Sequence, residues 1–202
     1  MIRTDLSAGA RRLALACAAL LVAACGSTAP SRFYVLTPTA GSELGASSAL
    51  GAVALAPVVL PRSVDRSQIV TRRASNEVSL AEFARWAEPL EENVARVIEQ
   101  NLEARLGESS VFDSDSRWGP DAAFIVAVVV QEFDAVIDGA CTLVARLHVS
   151  DGAGTWLATR SVRAQNTSSE SGAAGVAQAM SANLHELSER IVATLQELHA
   201  GG

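Results

Sequence analysis

Cys141-Thr142-Leu143-Val144-Ala145-Arg146-Leu147-His148-Val149-Ser150 is the stretch on which the fold class turns. Cys141, Leu143, Ala145, Leu147 and Val149 make one apolar face, and Thr142, Val144, Arg146 and His148 make the other. A period of two is the mark of a strand with one buried face. Asp151-Gly152-Ala153-Gly154 follows as a strong turn, and Thr155 to Gln165 reads as the returning strand. Upstream, Phe124 to Val130 is apolar at every position, as expected of a central strand covered on both faces. Asp138-Gly139 joins the two, so the segment predicts a three-stranded antiparallel meander.

Two helices bracket the meander. Pro89 suits a first helical position, and Glu91 and Glu92 complement the positive end of the helix dipole. Leu90, Val94, Val97, Ile98, Leu102 and Leu106 then share one face at helical spacing, and Gly107 supplies the stop. A closing helix is expected from about Gly175 to His199, with a stripe of Val176, Met180, Leu184, Leu187, Ile191, Leu195 and Leu198. Asn166 to Gly172 reads as the polar loop before it.

Before the first helix the signals are shorter. Phe33-Tyr34-Val35-Leu36 reads as a strand stopped by Pro38, and residues 39–49 as a loop. Ala52 to Leu60 supports a strand that Pro57 either ends early or confines to an edge. Gln68 to Thr71 and Glu77 to Leu80 suggest two strands around Ala74-Ser75-Asn76. Ser79 and Glu82 have capping-box spacing, so a helical turn over 80–86 competes there. Strands, helix, three strands, helix is the order of an α+β fold: a mostly antiparallel sheet with two amphipathic helices packed on one face.

The first 24 residues are of another kind. Arg3, Arg11 and Arg12 precede the apolar run Leu13 to Val22, which is too short to span a bilayer and reads as a secretory signal. Val22-Ala23-Ala24-Cys25 resembles the lipobox of bacterial lipoproteins. The alternative is ordinary cleavage at an Ala-x-Ala-like site, with Cys25 incidental. The lipobox resemblance implies that Cys25 carries covalent lipid, palmitate-type chains included, and becomes the new amino terminus. Several acyl chains hold a protein stably on a membrane where one binds marginally. Gly26, where inner-membrane lipoproteins tend to carry aspartate, implies export to the outer membrane. The expected organisation is a signal peptide at 1–24, a lipidated tether at 25–31 and a single α+β domain at 32–202.

Charge and chemistry exclude several functions. The chain has no Lys; of its 16 Arg and 22 acidic residues the leader takes three and one, leaving 13 against 21, a formal charge of −8. A domain this acidic, with no Arg cluster beyond Arg72-Arg73, is not built to bind nucleic acid and offers no basic patch for anionic lipid. Cys141 has no internal partner and points to the apolar side of its strand, as a small core residue. His148, His185 and His199 lack metal spacing, Gly152-x-Gly154 lacks the helix a phosphate loop needs, and no Gly-x-Ser-x-Gly elbow occurs. No cofactor is implied beyond the lipid on Cys25, and an enzyme is not expected.

Arg85-Trp86-Ala87-Glu88-Pro89-Leu90 admits two readings. Trp86 can cover the core edge while Glu88 caps the helix and pairs with Arg85. Alternatively the segment is a partner-contact patch, since Trp and Arg most often anchor interfaces. The string resembles a hallmark of the PqiC-like ABC-type transport auxiliary lipoproteins. Phe33-Tyr34-Val35-Leu36, the Val-Ala-Leu-Ala-Pro-Val run ending near Leu60-Pro61, Ile69-Val70-Thr71-Arg72 and the meander with its C-terminal helix agree. Where the family often has Tyr after the Pro61-equivalent proline, this chain has Arg62-Ser63-Val64. The resemblance implies a non-enzymatic component beside MCE-domain machinery that moves hydrophobic molecules, phospholipids being the expected cargo, between inner and outer membranes. It also implies a periplasmic MCE-domain partner of an ABC-type transporter, and the partner-contact reading of Arg85 and Trp86 puts its docking surface near them. A homo-oligomeric ring would suit that role, although no residue demands one. An assembly or structural lipoprotein for an outer-membrane complex, and a soluble lipid carrier with an apolar cavity, are the competing readings.

Overall fold

Residues 29–39, 50–107, 111–115 and 122–201 are described by a computed structural model. The expected signal peptide, Cys25 and nearly all of the 39–49 loop lie outside them. Residues Ser31–Gly202 make up one unit. In chain order its elements are β1 (Arg32–Tyr34), β2 (Val53–Leu55), β3 (Gln68–Ala74), β4 (Glu77–Trp86), α1 (Leu90–Leu106), β5 (Val111–Asp113), β6 (Phe124–Ala135), β7 (Cys141–Asp151), β8 (Trp156–Asn166) and α2 (Gly172–Gly201).

The meander forms as its alternation predicts. Val126 lies opposite Val149, Val128 opposite Leu147 and Val130 opposite Ala145, all buried on one face. Asp151 accepts the backbone N–H groups of Thr155 (2.7 Å) and Ala153 (3.0 Å), which hold its carboxyl below the usual carboxylate range and close the β7–β8 turn. Only one face of β6 is fully covered, contrary to the expectation from its unbroken apolar run. Ile125, Ala127 and Val129 remain half-exposed because the helices lie on the other side. α2 packs across β6, β7 and β8, and α1 lies beside α2 and against β5.

The strands divide into two sheets, each mixed, where a single sheet was expected. β5-β2-β6-β7-β8 is one, parallel through β5-β2-β6 and antiparallel thereafter; β1-β4-β3 is the other. Proline explains the division. β2 stops before Pro57, too short to run along the whole of β6, so a lone bridge from Val59 to Val129 continues that edge. Beyond it Arg72 of β3 is ion-paired with Asp134 of β6, joining the sheets. β4 extends as strand through Trp86, so the capping-box alternative over 80–86 is not realised. β5 has no counterpart in the sequence reading.

Both helices carry the expected stripes. In α1 all six apolar positions are buried, and the N–H of Gly107, at φ 107°, bonds the Glu103 carbonyl at 2.8 Å. Pro89 is the N-cap rather than the first helical residue. α2 begins at Gly172, earlier than predicted, its first N–H held by Asp138 at 2.7 Å. Cys141 is buried, as its face predicts, and its carbonyl accepts Asn183 Nδ2 at 3.1 Å.

Candidate functional site: the junction of two sequence strings

Phe33-Tyr34 and Arg85-Trp86, far apart in sequence, are neighbours in the sheet. β1 pairs in parallel with the end of β4, with Phe33 opposite Arg85 and Tyr34 opposite Trp86. The N–H of Ala87 bonds the Tyr34 carbonyl and that of Trp86 the Ser67 carbonyl, both at 2.8 Å. Trp86 is only 5% exposed and Leu90 1%. The indole is therefore a core residue, and this burial supports the structural reading of Trp86.

Past the strand end, α1 reaches back over the junction. Asn93 Oδ1 accepts the Leu36 N–H at 2.6 Å, and Asn93 Nδ2 donates to Glu88 Oε1. Arg96 Nη2 lies 2.5 Å from Glu88 Oε1. From α2, Ser181 Oγ accepts the Thr37 N–H at 3.1 Å. The segment following β1 is thus gripped by both helices. A buried amide that fills two of its bonding sites in this way specifies one arrangement of the chain.

One expected contact is absent: Glu88 does not pair with Arg85. Successive strand residues point to opposite faces, so Arg85 stands on the side away from Trp86. Glu88 lies beyond the strand, over the first turns of α1, where Arg96 reaches it. Arg85 Nε is enclosed without a hydrogen-bond partner. Arg85 and Glu88 are half-exposed, whereas Ala87 and Pro89 are exposed. Asp65, Arg66 and Ser67 face Ala87, Glu88 and Pro89 across a cleft floored by Trp86 and Leu90. In the Arg62-Ser63-Val64 segment, Val64 is buried, its N–H bonded to the Pro61 carbonyl at 3.0 Å.

A second cleft lies between β2 and α1, with Leu55, Pro57, Val58 and Ala95 below a rim of Glu91, Glu92, Glu99 and Asp113. Burial, then Glu103 and Asp113, push the Glu99 carboxyl up. Its volume of about 200 Å³ is below the roughly 300–1,000 Å³ of a small-molecule site, which gives no support to a lipid carrier there. No three His, Cys, Asp or Glu side chains converge as metal ligands among the described residues. His148 projects from the sheet face away from the helices, with Nδ1 3.3 Å from Thr159 Oγ1 and its ring 5.1 Å from that of Trp156.

Sequence reasoning missed Asn93, Arg96 and Ser181, and the exposed Trp156. Asn93 was open to detection, since it is a polar residue set into a largely apolar helical stripe. Most buried polar side chains have a hydrogen-bond partner, as Asn93 does, although Asn101 on the same helix is buried with its amide unpartnered.

Two solved structures share this fold at low identity. One is the crystal structure of an uncharacterized protein: TM-score 0.68, 16% identity, covering 83% of this chain and 99% of that one. The other is protein XCC0632 from Xanthomonas campestris: TM-score 0.61, 17% identity, covering 80% and 93% respectively. No protein of curated function matches the chain. The family described as the ABC-type transport auxiliary lipoprotein component matches residues 34–192, from the end of β1 into α2, and takes in the junction apart from Phe33. By that match the chain belongs to the ABC-type transport auxiliary lipoprotein family.

Proposed function

We propose that the protein is an outer-membrane-anchored periplasmic subunit of an MCE-type lipid transport system, lipidated at Cys25 and docked on an MCE-domain partner. The reading is carried by family membership over residues 34–192 in a chain whose Val22-Ala23-Ala24-Cys25 resembles a lipobox. The half-exposed and exposed part of the junction, with Ala87, Glu88 and Pro89 around the cleft and Arg85 on the other face of the strand end, supplies the docking patch, while Trp86 and Leu90 hold it in shape from below.

Capture of the MCE-domain protein from envelope extracts tests the reading. Ala87→Arg changes an exposed side chain without touching the core, and Arg85→Ala removes a half-exposed one. Both are expected to lose capture while keeping the wild-type circular dichroism spectrum. Undiminished capture by both would remove the patch from the account. Trp86→Ala is the wrong probe, since emptying a buried Trp site costs about 3–5 kcal/mol in stability.

A further inference from the structure

Helix α1 brings more negative charge to one side than it has cations to neutralise. It carries Glu91, Glu92, Glu99 and Glu103 but only two arginines. Both arginines are engaged elsewhere: Arg96 pairs with Glu88 at the junction, and Arg105 with Glu189 of α2 at 3.0 Å. Glu91, Glu92 and Glu99 line the cleft beside β2, where Asp113 of β5 joins them. None of these four carboxylates forms an ion pair among the described residues.

The helix dipole accounts for Glu91 and Glu92 in the first turn, but its reach ends there. Glu99 lies two turns farther on. It is half-buried, with Glu103 four residues ahead and Asp113 across the cleft, and burial with these like charges raises its carboxyl. Ionised at neutral pH, Glu99 costs the folded domain stability. Held over an apolar floor of Leu55, Pro57, Val58 and Ala95, it is a group that a cation from outside would complete.

Size and lining select the occupant. A volume of about 200 Å³ suits one long side chain rather than a whole small molecule. Arginine matches both layers of the cleft, since its methylene stem covers apolar surface while its planar head meets carboxylates. A bare metal ion would make no use of the floor. The cleft also continues the docking patch: Glu88 and Pro89 border the junction cleft, and Glu91 and Glu92, one turn on, border this one.

Resting on the docking proposed above, we propose that the β2–α1 cleft seats an arginine side chain of the partner protein. Its stem lies on Pro57, Val58 and Ala95, and its guanidinium is held by Glu99 and Asp113. The partner then meets two adjoining surfaces, one on each side of the start of α1.

The double variant Glu99→Gln/Asp113→Asn removes both charges with little change of shape, and Asn keeps an acceptor for the Asp115 N–H that Asp113 now holds at 2.9 Å. It should capture the MCE-domain protein about tenfold more weakly or worse. Its thermal midpoint should hold or rise, because the like-charge repulsion is gone. A photo-crosslinking amino acid in place of exposed Glu92, used in living cells, identifies the occupant by mass spectrometry of the joined peptide. An arginine in that peptide supports the seat if its replacement by Gln weakens wild-type capture about tenfold and the double variant's capture little further. A lowered thermal midpoint overturns the seat, as does a cross-link found only to a second copy or to residues 116–121 of the same chain, which include Arg117. Wild-type protein that captures no MCE-domain partner and gives no cross-link overturns docking and seat together. Capture lost in Ala87→Arg but kept in the double variant overturns the seat alone.

Discussion

Asn93 shows how much one buried side chain holds in this domain. Its amide links the chain after β1 to α1 and to Glu88. Asn93→Ala leaves the buried Leu36 N–H unpaired, which costs about 1–3 kcal/mol, while half-exposed Glu88 keeps Arg96. The urea midpoint should fall accordingly, with the m-value unchanged. Cys141 gives a pH dependence. Burial, with a smaller push from the Asp134 charge and against the Asn183 hydrogen bond, raises its thiol from 9.0 to about 12. Between those values the folded protein keeps a proton that the unfolded chain releases. Its contribution is therefore full below pH 9.0 and drains away as pH rises toward about 12. Cys141→Ala should flatten the loss of stability seen between about pH 9 and about pH 11. At this scale the sequence spoke clearly for the face of Cys141, because alternation is local. It was silent on Glu88 and Arg96, because their pairing depends on how α1 crosses the end of β4.

Legibility among the elements followed length and period. β7 and both helices were readable because each repeats its pattern over several turns or strand periods. β5, three residues long with no period, was not. Its place is set from outside, by parallel pairing of Val111 with Val53. The division into two sheets was equally hidden: Pro57 announced the end of β2, but not that β3 would approach β6 farther along. The Arg72–Asp134 pair is where those two elements meet. Its side chains are about a third exposed, so Asp134→Ala should lower global stability by no more than about 1 kcal/mol. Locally the effect should be larger, since β3 and β4 lose their side-chain tie to the main sheet. Amide hydrogen exchange in β3 and β4 is expected to quicken while β7 and β8 stay protected. Uniform quickening across all four strands would place the tie elsewhere.

The whole domain has two unlike ends, and neither could be read along the chain. Phe33-Tyr34 and Arg85-Trp86 were each visible as strings, but their pairing is a matter of topology, as is the meeting of two turns around Arg72. The fold class itself was legible, because alternating and helical stretches follow one another in an order that leaves few ways to share a core. β1 bears on how the domain withstands pulling. It is three residues long and is the first strand after the lipobox. Tension between an anchored terminus and a docked partner would arrive there, directed along the strand. Because β1 lies alongside β4 in parallel, such tension loads their backbone bonds in shear, all at once, instead of unzipping them one by one. The Asn93 and Ser181 contacts just downstream act as a second stop. Under the proposed anchoring and docking, a short strand so placed acts as a mechanical fuse with a backstop.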